Sequence, residues 1–279
     1  MLGGNFRQVA GGKGANQAVA AVRVGGMVAM VGCVGDDQLG RDAIEALRGD
    51  GVEVSQIHRL SEAASGVALI VVDADGQNSI AVAPGANGHL TPAMVRQAAP
   101  LLVAAKVVLV QLEVPLDTVV ETAIIASDHG ARVVLDPAPA QPLPDVLWKR
   151  LAVITPNVSE AAALTGHAIH DQADAQVAAA VLLERGVDSA IVTLGADGVL
   201  VATRQTQTVI AGLEVEAVDT TAAGDTFAGA LATRLAEGAD LVDASRFANA
   251  AAAVAVTRMG AEPSVPTRDE VVRMLASVP

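Results

Sequence analysis

An alternation runs through the middle of this sequence: short Val/Ile/Leu runs, each followed by a longer Ala-rich segment with helical spacing. Val107–Val110, Arg132–Leu135, Val153–Thr155 and Ala190–Leu194 read as strands. Leu116–Ser127, Ser159–Leu164 and Asp174–Arg185 read as the helices between them, with Gly166 as a C-terminal stop. Strands that are apolar at successive positions have to be buried on both faces. Set between helices, they imply an α/β fold with a parallel sheet covered on either side. One segment breaks the rhythm. Gly66–Val72 and Ser79–Ala83 flank Asp73-Ala74-Asp75-Gly76, a β-hairpin signal with Asp-Gly in the turn. It is expected to form a lid or edge element. The last third reads as helices over Thr226–Ala236, Asp240–Arg258 and Arg268–Ala276. No repeat or low-complexity linker divides the chain, so a single domain over residues 1–279 is expected.

Composition narrows the function. The net charge is -13 and the 18 basic residues are scattered, which argues against nucleic-acid binding and against docking on anionic membranes. Three Phe, one Trp and no Tyr leave no stacking platform for bases. The apolar stretches are interrupted by Lys106 and Gln111, or by Arg246, Asn249 and Arg258, so they read as core rather than membrane spans. The single cysteine, Cys33, excludes an internal disulfide and fits a reducing compartment; it is expected to be a buried small hydrophobe. The first residues carry no apolar signal-peptide core, and a cytoplasmic location is expected.

The chemistry concentrates in Val218-Asp219-Thr220-Thr221-Ala222-Ala223-Gly224-Asp225-Thr226-Phe227. Small residues lead straight into an Ala-rich helix. Such a start exposes backbone N–H groups and the positive end of the helix dipole, a setting suited to phosphate. Asp225 at that spot could accept a proton from an attacking hydroxyl, or it could be a helix N-cap; local chemistry leaves both open. A second stretch, Gly11-Gly12-Lys13-Gly14-Ala15-Asn16-Gln17, is glycine-rich but lacks the Gly-x4-Gly-Lys-Ser/Thr spacing of a Walker A loop. His167 and His170 stand three apart without supporting ligands, and their structural reading is preferred.

Taken together, these two stretches resemble the signatures of the ribokinase-like (PfkB-type) sugar kinases. Gln111-Leu112-Glu113, Thr155-Pro156-Asn157-Val158-Ser159-Glu160, Val192-Thr193-Leu194-Gly195 and Thr257-Arg258-Met259-Gly260-Ala261-Glu262-Pro263-Ser264 follow in the family's order, across essentially the whole chain. The resemblance implies a three-layer α/β/α sandwich with a mostly parallel central sheet and a small β lid, at about residues 1–11 and 64–84. It implies transfer of the γ-phosphoryl group of ATP to O5 of D-ribose, giving D-ribose 5-phosphate. Asp225 would be the base, and the amides of Ala222, Ala223 and Gly224 the anion hole. Gly12, Lys13, Gly14, Ala15, Asn16 and Glu113 would bind the sugar together with Asp225. Asn157, Thr193, Leu194, Gly195, Ala196, Asp197, Gly198, Gly224 and Asn249 would form the nucleotide site. Glu160 would position Mg²⁺ through water. Asp219, Thr221, Ala255, Arg258, Gly260 and Ser264 would form a loop for K⁺. Ribose and ATP are thus the expected small-molecule partners, and the apolar lid implies a homodimer.

Two alternatives stand beside this reading. One is another kinase of the family, acting on fructose, a deoxy-sugar acid or a nucleoside, the last disfavoured by the scarcity of aromatics. The other is a catalytically impaired sugar- or nucleotide-binding protein. It is raised because family members carry roughly thirty further residues before the Gly-Gly-Lys-Gly motif, about one supersecondary unit. That segment holds a first strand and a Gly-Ser-x-Asn-x-Asp motif whose Asp binds the sugar. A strand contributing about five buried aliphatic side chains is worth roughly 10 kcal/mol. The expectation is therefore that an upstream start codon encodes this strand.

Overall fold

A computed structural model describes residues 9–72 and 78–277. In chain order its elements are α1 (Lys13–Arg23), β1 (Ala29–Gly35), α2 (Gln38–Asp50), β2 (Glu53–Leu60), β3 (Val67–Val72), β4 (Asn78–Ala83), α3 (Pro92–Gln97), α4 (Ala99–Ala104), β5 (Val107–Val110) and α5 (Leu116–Asp128). Then come β6 (Arg132–Leu135), α6 (Asp145–Trp148), β7 (Val153–Ile154), α7 (Val158–Thr165), α8 (Gln172–Glu184), β8 (Ser189–Thr193), β9 (Gly198–Thr203), β10 (Gln207–Ala211), α9 (Ala223–Ala236), α10 (Leu241–Ala255) and α11 (Arg268–Ala276).

The central sheet has six strands in the order β10-β9-β8-β7-β6-β5. The pairings β5–β6, β6–β7 and β7–β8 are parallel, while β8–β9 and β9–β10 are antiparallel. The antiparallel turn follows from spacing: only Leu194–Asp197 separates β8 from β9, too little for a crossover helix. Alternate residues face opposite sides. Val133 and Leu135 of β6 pack with α5, α7 and α8, while Val134 packs with α9, α10 and Val271 of α11. Two helical layers therefore cover one sheet, which is the three-layer sandwich expected from the sequence.

Strands β1 and β2 pair in parallel as a separate two-stranded sheet. Cys33 lies within β1 and is buried. Strands β3 and β4 form the expected antiparallel hairpin, in register from Val67↔Ala83 to Val72↔Asn78. Its Asp75-Gly76 turn lies outside the described residues, as does residues 1–8 of the expected first lid element; residues 9–11 are described and form no strand. Asp37, the N-cap of α2, ties down the hairpin's base. Its carboxylate accepts hydrogen bonds from the Ser65 N–H and hydroxyl, each at 2.7 Å, and from the Gly40 N–H at 2.8 Å. The imidazole Nδ1 of His167 lies 3.1 Å from the Thr165 carbonyl, and both His167 and His170 are exposed. No cluster of three His, Cys, Asp or Glu able to hold a metal occurs among the described residues. No helix there is long and apolar enough to cross a membrane.

Candidate active site

The site lies at the carboxyl ends of β5, β6 and β8, where α1, α7 and α9 begin. Helix α9 starts at Ala223, three residues before the start read from the sequence. Its N-cap is Ala222 in the left-handed conformation, with φ 60, and no side chain caps the helix. That start places Asp225 inside the first turn, so its carboxylate is not spent on its own helix. It is buried, and it accepts hydrogen bonds from Asn16 Nδ2 at 2.8 Å and from Gln17 Nε2 at 3.2 Å. The N-cap alternative for Asp225 is thereby removed. The Ala223 N–H donates to the Thr220 carbonyl at 3.2 Å, so of the three expected anion-hole amides this one is already engaged. The N–H groups of Ala222, Gly224 and Asp225 have no acceptor among the described residues.

Glycine brings α1 into reach. A Cβ on Gly229 of α9 would stand 2.4 Å from the Gln17 carbonyl oxygen and 2.7 Å from Ala20 Cβ. Only a bare backbone there lets the two helices approach closely enough for Asn16 and Gln17 to touch Asp225. Gly12 caps α1 with φ 112, a conformation that favours glycine. Gly14 sits against Met30 and Gln111, where a Cβ would come within 3.2 Å of the methionine methyl. Asn16 is buried, and its Oδ1 has no partner among the described residues. A ligand hydroxyl would satisfy it.

Two residues of the cluster were not singled out by sequence reasoning: Gln17 and Asp136. Asp136 directly follows β6, buried, in Asp136-Pro137-Ala138-Pro139. A polar residue at the carboxyl end of a buried parallel strand is the signal that could have found it. Gln17 Nε2 donates to Asp136 Oδ2 at 2.8 Å, so one amide bridges two carboxylates. Lys13 Nζ lies 4.0 Å from Asp136 and 4.0 Å from Asp225. Burial opposes the charge on Lys13, but Asp225, Asp136, Glu113 and Glu160 outweigh it and raise its pKa. Burial pushes the Asp136 carboxyl up to about 7 against the pull of Lys13, and Asp225 and Glu160 add to the rise. Burial also raises Glu113, with Lys13 opposing. The loop carrying Glu113 is tied to the Asp136 loop by Leu112 N–H donating to Ala138 O at 3.0 Å.

The other expected residues divide. Asn157 and Glu160 form a capping box at α7: each side chain accepts the other's backbone N–H at 2.9 Å. The capping role is thus present, and Asn157 Nδ2 and Glu160 Oε1 carry no hydrogen bond among the described residues. Thr193 pairs with Asn157 through a β-bridge, which places the β8 end beside α7. Gly195 and Gly198 have φ 63 and 98, and a Cβ on Gly198 would stand 2.1 Å from the Ile210 carbonyl oxygen. Leu194 N–H closes this turn on Gly198 O at 2.8 Å, and Ala196 and Asp197 are exposed. Asn249 is buried and donates to the Ala211 carbonyl at 2.9 Å, so its amide nitrogen links α10 to β10.

Asp219 gathers part of the expected cation loop. It accepts from Thr221 N–H at 2.9 Å, Thr221 Oγ1 at 2.6 Å and Gly260 N–H at 2.8 Å. Burial opposes ionisation, but these three bonds outweigh it and lower its pKa. Ser264 is buried and donates to Ala261 O at 2.6 Å, Ala255 O accepts from Arg258 N–H at 3.1 Å, and the Arg258 guanidinium pairs with Glu270 at 2.5 Å. No hydrogen bond among the described residues joins Ser264, Ala255 or Arg258 to Asp219.

Comparison with known proteins shows what this chain is similar to. Residues 1–268 match the pfkB family carbohydrate kinase profile. The chain is 43% identical over 275 residues to a ribokinase from Haemophilus influenzae, covering 99% of this chain and 90% of that protein. A ribokinase structure from Thermotoga maritima superposes with a TM-score of 0.87 at 38% identity, covering 96% of this chain and 88% of that one. An Arabidopsis thaliana ribokinase, solved with ribose and ATP, superposes with a TM-score of 0.91 at 30% identity, covering 99% and 93%.

Proposed function

The chain belongs to the pfkB family of carbohydrate kinases, and from that membership we infer that it phosphorylates D-ribose at O5, using ATP and giving D-ribose 5-phosphate. The observation that carries the reading is the buried Asp225 carboxylate, held by Asn16 and Gln17 beside unpaired amides of the α9 N-terminus.

The sugar's O5 hydroxyl gives its proton to Asp225 as oxygen attacks the γ-phosphorus. The O5–P bond forms, the bond from phosphorus to the bridging oxygen breaks, and ADP leaves. Such transfer depends on positioning and charge stabilisation more than on covalent chemistry. Amides of Ala222, Gly224 and Asp225 at a helix N-terminus supply fixed positive potential for the charge that develops. Asn16 and Glu113 present an acceptor set that selects a polyol over an apolar ligand. Lys13 offsets part of the site's negative charge. Asn157, Thr193, Leu194, Gly195, Ala196, Asp197, Gly198 and Asn249 surround the nucleotide in this reading.

Mg²⁺ fits the donor set at α7, where Glu160 keeps one carboxylate oxygen open and Mg²⁺ ordinarily retains several waters. Glu160, beside Asn157, would hold it through water, and it would neutralise charge on the phosphates. K⁺ fits Asp219: a carboxylate offers about four lone-pair sites and three are taken. Asp219 and Thr221 would hold it with backbone oxygens of Ala255, Arg258 and Gly260 and with Ser264. The lid hairpin presents exposed Val67, Leu69 and Val82. Apolar surface of this kind supports a homodimer formed through the lid. The cytoplasm is the compartment in which ATP would be available to it.

A coupled ADP-release assay tests the reading. With D-ribose, 2-deoxyribose, fructose and a nucleoside as acceptors, ribose is expected to give the highest kcat/KM, with turnover increased by K⁺. Absence of turnover on every acceptor overturns it.

A further inference from the structure

The mechanism above uses Asp225 and leaves unexplained a second buried carboxylate beside it. Asp136 lies elsewhere in the chain, just after β6, yet its side chain shares both of its polar contacts with Asp225. The Gln17 amide donates one hydrogen to each carboxylate, at 2.8 and 3.2 Å. The Lys13 ammonium stands 4.0 Å from each. A glutamine amide has two donor hydrogens, and here both are committed to these carboxylates. Where Gln17 points is therefore decided as much by Asp136 as by Asp225.

We propose that Asp136 is a positioning residue for phosphoryl transfer: its ionised carboxylate orients Gln17 and Lys13, and through them the Asp225 carboxylate that receives the sugar's proton. The proposal rests on the kinase reading above. Every charged group that faces Asp136 belongs to the site. Lys13 comes from α1, Asp225 from α9 and Glu160 from α7. Two of the three are acids, and Lys13 is the one cation among them. Burial together with this acidic surround raises the Asp136 carboxyl to about 7, so it changes charge near neutrality. Protonated Asp136 no longer pairs with Lys13 and is a weaker acceptor for Gln17. Both donors are then released, and the restraint on Asp225 loosens.

The test compares pH–rate profiles of the wild type and Asp136→Asn on D-ribose. Asparagine is nearly isosteric and keeps an acceptor for Gln17, but it lacks the charge. At about pH 8 the variant is expected to lose roughly tenfold in kcat, within the range of general-base effects, with little change in KM for ribose. At about pH 5.5, where wild-type Asp136 is protonated, the two rates should agree within about twofold. A constant ratio across the range would mean a structural role only and overturns the proposal. A second measurement needs no variant to fold and no turnover. In the wild-type protein the Gln17 side-chain amide resonance, followed by NMR, should shift with a midpoint near 7. A resonance that does not move also overturns the proposal. If the wild type phosphorylates no sugar, the kinase reading falls, while the Gln17 titration still decides whether Asp136 controls that amide.

Discussion

At Asp225 the same residue could have served as a helix cap or as a base, and three residues of helix remove the cap. Because α9 begins at Ala223, the carboxylate stands in the first turn and bonds across to α1. Asp225→Asn is expected to lower kcat by about 10³-fold, the middle of the range for a lost general base. ATP affinity measured by calorimetry should stay within about threefold, since the carboxylate acts on the acceptor. Asp136 makes an opposite kind of prediction, on stability. Its carboxyl rises from 3.8 to about 7 on folding, so the folded protein holds that proton more tightly than the unfolded chain. Above pH 7 this costs the fold on the order of 2–4 kcal/mol, and the cost disappears as pH falls towards 4. Asp136→Asn should therefore raise the melting temperature at about pH 8 and leave it unchanged near pH 4. A variant that is slower yet more stable at pH 8 would display a functional charge kept at the expense of stability.

Among the elements, the contact between α1 and α9 assembles the site. Gly229→Ala forces a Cβ to within 2.4 Å of the Gln17 carbonyl oxygen, so the helices must separate. Overpacking of this kind costs about 1–3 kcal/mol. Because Asn16 and Gln17 ride on α1, kcat should fall along with stability, whereas a helix glycine elsewhere would gain from alanine. Denaturant unfolding and steady-state kinetics on one preparation check both halves. The buried elements were legible from sequence because Val107–Val110, Arg132–Leu135 and Ala190–Leu194 are apolar at successive positions and lie between helices. Strand β2 was not, because Glu53, Ser55, Gln56, His58 and Arg59 dilute its apolar signal at a sheet edge. Strand β10 shows the same dilution in Gln207 and Thr208. The start of α9 was misplaced by three residues because Ala222, in a left-handed conformation without a capping side chain, leaves no mark in the sequence. Asp225, Lys13, Asn16 and Glu113 could be found from motifs. The pairing of Gln17 with Asp136 could not, because it arises only when residues 119 positions apart meet.

Over the whole molecule, a chain of net charge -13 has to bind a polyanion. Around Lys13 the site gathers Asp225, Asp136, Glu113 and Glu160, so positive potential must come from backbone amides and bound cations. Removal of divalent cations with EDTA is expected to abolish turnover, and added Mg²⁺ to restore it. Replacement of K⁺ by Na⁺ should lower kcat without unfolding the protein. The lid carries the assembly prediction. Light scattering should give twice the 28.0 kDa chain mass, and Leu69→Lys should shift it towards the monomer.

The central claim is that this site moves phosphate onto O5 of ribose with Asp225 as the base. Phosphorus NMR of the reaction mixture tests it most directly. With wild-type protein, D-ribose, ATP and Mg²⁺, a ribose 5-phosphate resonance should grow as the γ-phosphate of ATP declines, and Asp225→Asn should show neither change. A phosphate ester at another position, or equal product from Asp225→Asn, would contradict the account.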